Sequence, residues 1–152
     1  IQCTIYFRYY LNQALKASGL GDQFLDNLQI WRDQMALGLT TWAEMPEPSR
    51  SDCHAWGASP NIEFYRILLG IDSDAPGFRK IRIAPSLGKL KEVSGTIPHP
   101  LGSVTAAYKL NERGEGTARL VLPEGTTGIF IWDGKEIPLK PGEQVISLSS
   151  RH

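Results

Sequence analysis

The hydrophobic pattern of this chain changes period once. Through residues 1–71 apolar positions recur with the turn of a helix, and from Asp72 onward they follow the two-residue repeat of a strand. In IQCTIYFRYYLNQALKASG, the residues Ile5, Tyr6, Tyr9, Tyr10, Ala14 and Leu15 surround most of the circumference. A helix that is apolar on most sides is a buried helix, and Gly19 and Gly21 stop it. Asp22 predicts an N-cap for DQFLDNLQIWRDQMALG. There Phe24, Leu28, Trp31 and Met35 predict a single core-facing stripe, and Gly38 ends the helix. Ser59 and Pro60 read as N-cap and N1 of a third helix, with Ile62, Tyr65, Leu68 and Leu69 as its face and Gly70 as its close.

Beyond the turn-rich DSDAPG, the segments KIRIAPSL, GSVTAAYKL, TARLVLP, TGIFIWDGKEIPL and QVISL carry strand character. Val104, Ala106, Tyr108 and Leu110 fall on one face of theirs. Asp133-Gly134 predicts a hairpin, and Pro141-Gly142 marks another turn. Five or six short strands at regular spacing predict an antiparallel sandwich or partial barrel. The expected fold class is therefore α+β, with helices over residues 1–71 and a β-sandwich domain over residues 72–152. Three helices are too few to bury a first helix this apolar. That helix, and a chain that begins at Ile1 rather than methionine, predict a piece of a longer protein whose other helices complete the packing.

Composition narrows the function classes. The chain has 152 residues, 41% hydrophobic and 21% charged, which suits a folded globular protein. Sixteen basic residues balance sixteen acidic ones, against the basic excess of a nucleic-acid binder. No apolar run approaches the roughly 20 residues that span a bilayer, so no membrane partner is expected. Cys3 and Cys53 cannot define a disulfide framework and read as buried free thiols. No cysteine–histidine spacing matches a zinc motif, and no metal or cofactor is expected.

The stretch TTWAEMPEPSRSDCHAWGASP, Thr40 to Pro60, carries the candidate chemistry. Loops this long between helices are uncommon unless they have a function or a packed structure of their own. Glu44 closely follows Trp42, and Pro46 and Pro48 stiffen the chain after it. Arg50, Asp52 and His54 alternate, so an extended segment would place them on one side, and Arg50 and Asp52 are expected to pair or to cap backbone groups. Carbohydrate sites need this mix: rings that pack on apolar sugar faces, with carboxylates and histidine that bind hydroxyls and move protons. On chemistry alone, Glu44 and Glu47 are equal candidates for a general base, or either is a solvated loop glutamate. His54 is a proton carrier or a structural hydrogen-bonding group. Trp42 and Trp56 are pocket walls or core aromatics.

TTWAE followed by SRSDCHAWGASP, then EFYRILLGI and GFRKIRIAPSLGKL, closely resembles the C-terminal part of bacterial α-L-rhamnosidases of glycoside hydrolase family 78, over nearly the whole chain. The resemblance implies the final helices of a catalytic (α/α)6 barrel followed by a β-sandwich. It implies that Glu44 is the general base of an inverting mechanism and that His54 lies near the sugar, with Trp42 and Trp56 near the pocket. Many relatives place tryptophan directly before the glutamate; here Ala43 intervenes, and Glu47 is the fallback base. The family's general acid lies upstream, so the chain by itself is expected to be inactive. A rhamnose-containing glycoside is the implied substrate, a periplasmic or extracellular location is compatible with the family, and exposed barrel helices are expected to make the isolated chain self-associate.

Two other readings stand beside it. One is a non-catalytic carbohydrate-binding or accessory β-sandwich module, with His99, Tyr108 and Trp132 as contacts. The other is a different (α/α)6 glycosidase, trehalase-like or glucoamylase-like, which uses the same acid–base logic.

Overall fold

The computed structural model describes residues 3–150. The chain divides into two compact units, residues 1–64 and 65–152.

In the first unit, helix α1 spans Ile5–Ala17. Thr4 caps it, its Oγ1 accepting the Phe7 N–H at 3.2 Å. Ile5, Asn12 and Leu15 are buried, while Tyr6, Phe7 and Tyr10 are exposed. The helix is thus covered on one face, not on most sides as its composition suggests, because only one side meets other elements of this unit.

Two 3-10 turns, Gly21–Gln23 and Asp26–Leu28, precede helix α2, Gln29–Ala36. Asp22 lies inside the first of them instead of capping a long helix. Those turns also break the expected stripe. A 3-10 segment rotates more per residue than an α-helix, so it shifts the phase of everything after it. Phe24, Leu28 and Trp31 stay buried, and Met35 ends up 64% exposed. The short helix α3, Pro60–Glu63, starts with Pro60 at N1 as expected. Ser59 is itself helical and makes no side-chain cap, because the chain enters directly from the 3-10 turn Ala55–Ala58.

The second unit begins within a π-helical turn, Phe64–Leu68. Leu69 and Ile71 belong to its hydrophobic core, with Tyr65 packed against that core, which draws the end of the helical segment into the β unit. The described residues form eight strands: β1 Ile71–Ser73, β2 Lys80–Ile83, β3 Glu92–His99, β4 Gly102–Leu110, β5 Gly116–Leu122, β6 Thr127–Trp132, β7 Lys135–Leu139 and β8 Gly142–Leu148. They make two four-stranded sheets, ordered β1-β2-β6-β7 and β3-β4-β5-β8.

The sheets enclose one core. Ile81, Ile83, Phe130 and Trp132 come from the first, and Val104, Ala106, Tyr108 and Leu120 from the second. Each fully buried Val, Ile, Leu or Phe side chain among them stabilises the fold by about 1.5–3 kcal/mol. The alternation predicted for β4 is present at Val104, Ala106 and Tyr108. Every pair in the second sheet is antiparallel, but β2 runs parallel to β6, so the sandwich is not purely antiparallel. The parallel pair exists because β2 and β6 lie far apart in sequence, with the hairpin β3–β4 and strand β5 between them, and no tight turn dictates their direction. The Asp133-Gly134 turn joins β6 to β7 as expected, with positive φ at both residues (49° and 72°).

Candidate functional site

The loop Thr40–Pro60 folds back on itself. The Glu44 N–H donates to the Ser51 carbonyl at 2.9 Å, and the His54 N–H donates to the Trp42 carbonyl at 2.8 Å. The Thr41 hydroxyl donates to the Asp52 carbonyl across the same closure. Backbone bonds thus bring Trp42, Glu44 and His54 into one structured unit. Ala43, between the first two, is buried, and its N–H donates to Gln34 Oε1 on α2 at 2.9 Å.

Trp42 packs on Gly57. A Cβ at Gly57 would stand 2.4 Å from Trp42 Cβ, so no larger residue fits there without movement. The Gly57 carbonyl accepts the Trp31 Nε1–H at 2.7 Å, which ties the far end of the loop to α2. His54 lies against Trp56, with ring centroids 4.4 Å apart, and its Nδ1 is buried without a hydrogen-bond partner. Trp56 meets Tyr6 of α1 edge-on at 5.7 Å.

Glu44 is 14% exposed at its side chain and is gripped by Arg50, which is 74% exposed. Arg50 Nε donates to Glu44 Oε2 at 2.9 Å, and Nη2 donates to Oε1. The hydrogen bond to Glu44, reinforced by its charge, raises the guanidinium's pKa above its ordinary value. Arg50 therefore pairs with Glu44 and not with Asp52; the fold-back that sets Glu44 against Ser51 brings the guanidinium to that carboxylate. A carboxylate has roughly four lone-pair sites, so a two-pronged arginine fixes its plane and still leaves sites for a water or a hydroxyl.

The sequence candidates do not converge on one cavity. Trp42 lines an apolar hollow of about 360 Å³ with Trp31, Met35 and Phe64. Trp56 lines a groove of about 370 Å³ with Tyr6, Tyr9, Tyr10 and Ile62. Glu47 borders a third, of about 310 Å³, and its Oε2 accepts the Ser49 N–H at 3.3 Å. Glu44 lines none of these three.

Two groups that matter here were not singled out by sequence. Gln34 anchors the loop, and it looked like any polar position on α2. Arg8, which presented only as a charge on an apolar helix, lies over the Trp31 ring at 5.9 Å and donates through Nη1 to the Asn27 carbonyl at 3.2 Å. Neither cysteine matches its expected state fully: both are free thiols, but Cys53 is exposed and Cys3 half-buried. Among the described residues no group of three or more His, Cys, Asp or Glu side chains is placed to hold a metal ion, and no helix is long and apolar enough to cross a membrane.

The β unit offers no aromatic platform at the positions considered for one. Tyr108, Trp132 and His99 are all buried. Tyr108 donates to the Leu69 carbonyl at 2.8 Å, and Trp132 Nε1 donates to the Ser149 carbonyl at 2.8 Å. His99 Nδ1 accepts the Leu101 N–H at 3.1 Å, which leaves Nε2 to carry the proton toward the Phe78 carbonyl at 2.8 Å. These three side chains hold the sandwich together.

Residues 70–144 match the family model of the bacterial alpha-L-rhamnosidase C-terminal domain. The fold is similar to an alfa-L-rhamnosidase from Aspergillus terreus, with TM-score 0.81 and 19% identity over 92% of this chain and 18% of that one. It is also similar to a GH78 family rhamnosidase of Bacillus sp. GL1, with TM-score 0.71 and 25% identity over 84% of this chain and 16% of that one. A third likeness is to a Streptomyces avermitilis alpha-L-rhamnosidase complexed with L-rhamnose, with TM-score 0.60 and 20% identity over 80% of this chain and 14% of that one. The chain thus spans less than a fifth of the length of each of these structures. No curated protein sequence matches it.

Proposed function

We propose that this chain, whose residues 70–144 match the family model of the bacterial alpha-L-rhamnosidase C-terminal domain, belongs to that family and serves a glycoside hydrolase that releases terminal α-L-rhamnose with inversion. In this reading residues 1–71 are the last helices and one active-site loop of an (α/α)6 catalytic barrel, and residues 72–152 are the β-sandwich that follows it. Glu44 is the general base. His54, Trp42 and Trp56 are the proposed sugar contacts, with Trp42 and Trp56 bordering separate hollows of this unit.

The observation that carries the reading is the held carboxylate. Glu44 sits in a loop closed by backbone hydrogen bonds, and Arg50 fixes both of its oxygens. A base that must take a proton from water has to be aimed, and the two-pronged arginine fixes the plane of the carboxylate. The attack then runs from the face of the sugar ring opposite the leaving group. A second carboxyl, roughly 6.5–9.5 Å from Glu44, protonates the glycosidic oxygen. That acid lies outside residues 1–152, so the chain alone does not turn over. The exposed Tyr6, Phe7 and Tyr10 of α1 support self-association of the isolated chain.

Burial of His99, Tyr108 and Trp132 counts against sugar binding by the β unit, which acts as an accessory domain. The reading is tested by proton NMR of the whole protein acting on an aryl α-L-rhamnoside. The β-anomer of rhamnose is expected first. The α-anomer first would overturn inversion, and no release of rhamnose would overturn the substrate.

A further inference from the structure

We infer that Gln34 and Trp31 of α2 are positioning residues with divided roles: Gln34 sets the Glu44 carboxylate, and Trp31 sets the sugar contacts. The inference rests on the reading of Glu44 as the base and of His54, Trp42 and Trp56 as sugar contacts.

Residues three apart on a helix share one face. Trp31 and Gln34 are both 4% exposed, and the side chain of each makes a hydrogen bond to the loop backbone. The two bonds meet the loop at opposite ends. Gln34 Oε1 accepts the Ala43 N–H at 2.9 Å, one residue before Glu44. A backbone N–H can be met only by the oxygen of an amide, so the side chain is held in one orientation. The Gln34 carbonyl also accepts the Leu39 N–H at 3.2 Å. One residue therefore holds both ends of the segment 39–43 that leads into Glu44.

Trp31 acts on the other end. Its Nε1–H donates to the Gly57 carbonyl at 2.7 Å, one residue after Trp56. Gly57 lies against Trp42, and Trp56 lies against His54. The Arg8 guanidinium over the Trp31 ring steadies that ring from α1. Each of the three sugar contacts is thus one or two contacts away from the Trp31 indole.

The Arg50 grip cannot replace these bonds. Arg50 and Glu44 both belong to the loop, so their pair orders the carboxylate within the loop and moves with it. The bond from Gln34 refers the carboxylate to a helix. Neither α2 bond touches the carboxylate itself, so both residues act through the backbone. A misplacement of about 1 Å at a catalytic group costs on the order of 100-fold in rate.

The test is steady-state kinetics of the whole protein on an aryl α-L-rhamnoside, with thermal unfolding of each variant to confirm folding. Gln34→Met keeps the reach of the side chain and removes the acceptor. Its kcat is expected to fall about 10- to 100-fold, with KM within about twofold of the parent. Trp31→Phe keeps a ring and removes the N–H. Its KM is expected to rise about three- to tenfold, with kcat within about twofold. A merely structural role would not divide kcat from KM in this way. Because Gln34 works through Glu44, Gln34→Met combined with Glu44→Gln is expected to be no slower than Glu44→Gln alone. An unchanged kcat in Gln34→Met, the same kinetic change in both α2 variants, or a double variant slowed by the full Gln34→Met factor would each overturn the inference. Should Gln34→Met fail to fold, Trp31→Phe decides alone: a raised KM supports the inference and an unchanged KM overturns it. Near-parent turnover by Glu44→Gln alone would overturn the base reading and this inference with it. A collapse of Glu44→Gln beside an unchanged Gln34→Met would overturn the inference only.

Discussion

Arg50 holds both carboxylate oxygens of Glu44, Nε to Oε2 at 2.9 Å and Nη2 to Oε1. The two residues are six apart, and the intervening prolines and the Glu44–Ser51 backbone bond let the chain turn back so that they meet. Because the guanidinium is largely exposed, the pair orders the carboxylate more than it stabilises the fold. Arg50→Ala in the whole protein is expected to lower kcat/KM by about 10- to 100-fold, the usual effect of a misplaced catalytic group. Thermal unfolding is expected to stay unchanged, and Arg50→Lys to restore only part of the rate, since a lysine cannot grip two oxygens at once.

Gly57 permits the contact between the two ends of the loop. Gly57→Ala would push a methyl group to 2.4 Å from Trp42 Cβ. Relief requires Trp42 and the loop to shift, and a loss of about 1–3 kcal/mol is expected by urea unfolding of the first unit. The Trp42 fluorescence should change with it.

In the sandwich, Tyr108 reaches from β4 to the Leu69 carbonyl at 2.8 Å, with both residues buried. Tyr108→Phe preserves the ring and deletes the hydroxyl. A loss of about 1–2 kcal/mol in the unfolding of the β unit is expected, because a buried carbonyl loses a donor.

Glu143 and Arg119 form a two-pronged pair across β5 and β8, at 2.8 and 2.6 Å. The hydrogen bond from Arg119, helped by its charge, holds the Glu143 pKa below the usual glutamate value, with desolvation opposing. For a depressed carboxylate, the stabilisation is present above the unfolded pKa, about 4.3, and is lost as pH falls through the folded value. Carboxyl carbon NMR of Arg119→Ala is expected to show the Glu143 midpoint moving up toward the ordinary value. An unmoved midpoint would mean that the pair does not persist in solution.

Parts of this structure were legible in the sequence because local rules sufficed. Asp133-Gly134 specified its hairpin, and the alternation in GSVTAAYKL specified which face of β4 is buried. Strand β3 was missed because Gly95 and Pro98 interrupt EVSGTIPH, and only pairing with β4 along its whole length makes it a strand. Strand β1 is three residues long and is defined by its partner β2. The parallel β2–β6 pair joins segments far apart in the chain, which no local pattern encodes. In the loop, residue types suggested Glu44 and His54, but the Arg50 grip depends on a fold-back that alternation alone misread as one extended edge. The buried amide of Gln34 carried no sequence signal, since its role arises only where α2 meets the Ala43 backbone.

The most direct test of Glu44 as the base is the turnover of an aryl α-L-rhamnoside by the whole protein carrying Glu44→Gln, beside Glu47→Gln. The predicted result is a fall in kcat by about 10²–10⁴-fold for Glu44→Gln, in the range of a lost general base, with KM little changed and Glu47→Gln near the parent rate. Near-parent turnover by Glu44→Gln, or a comparable collapse confined to Glu47→Gln, would contradict it.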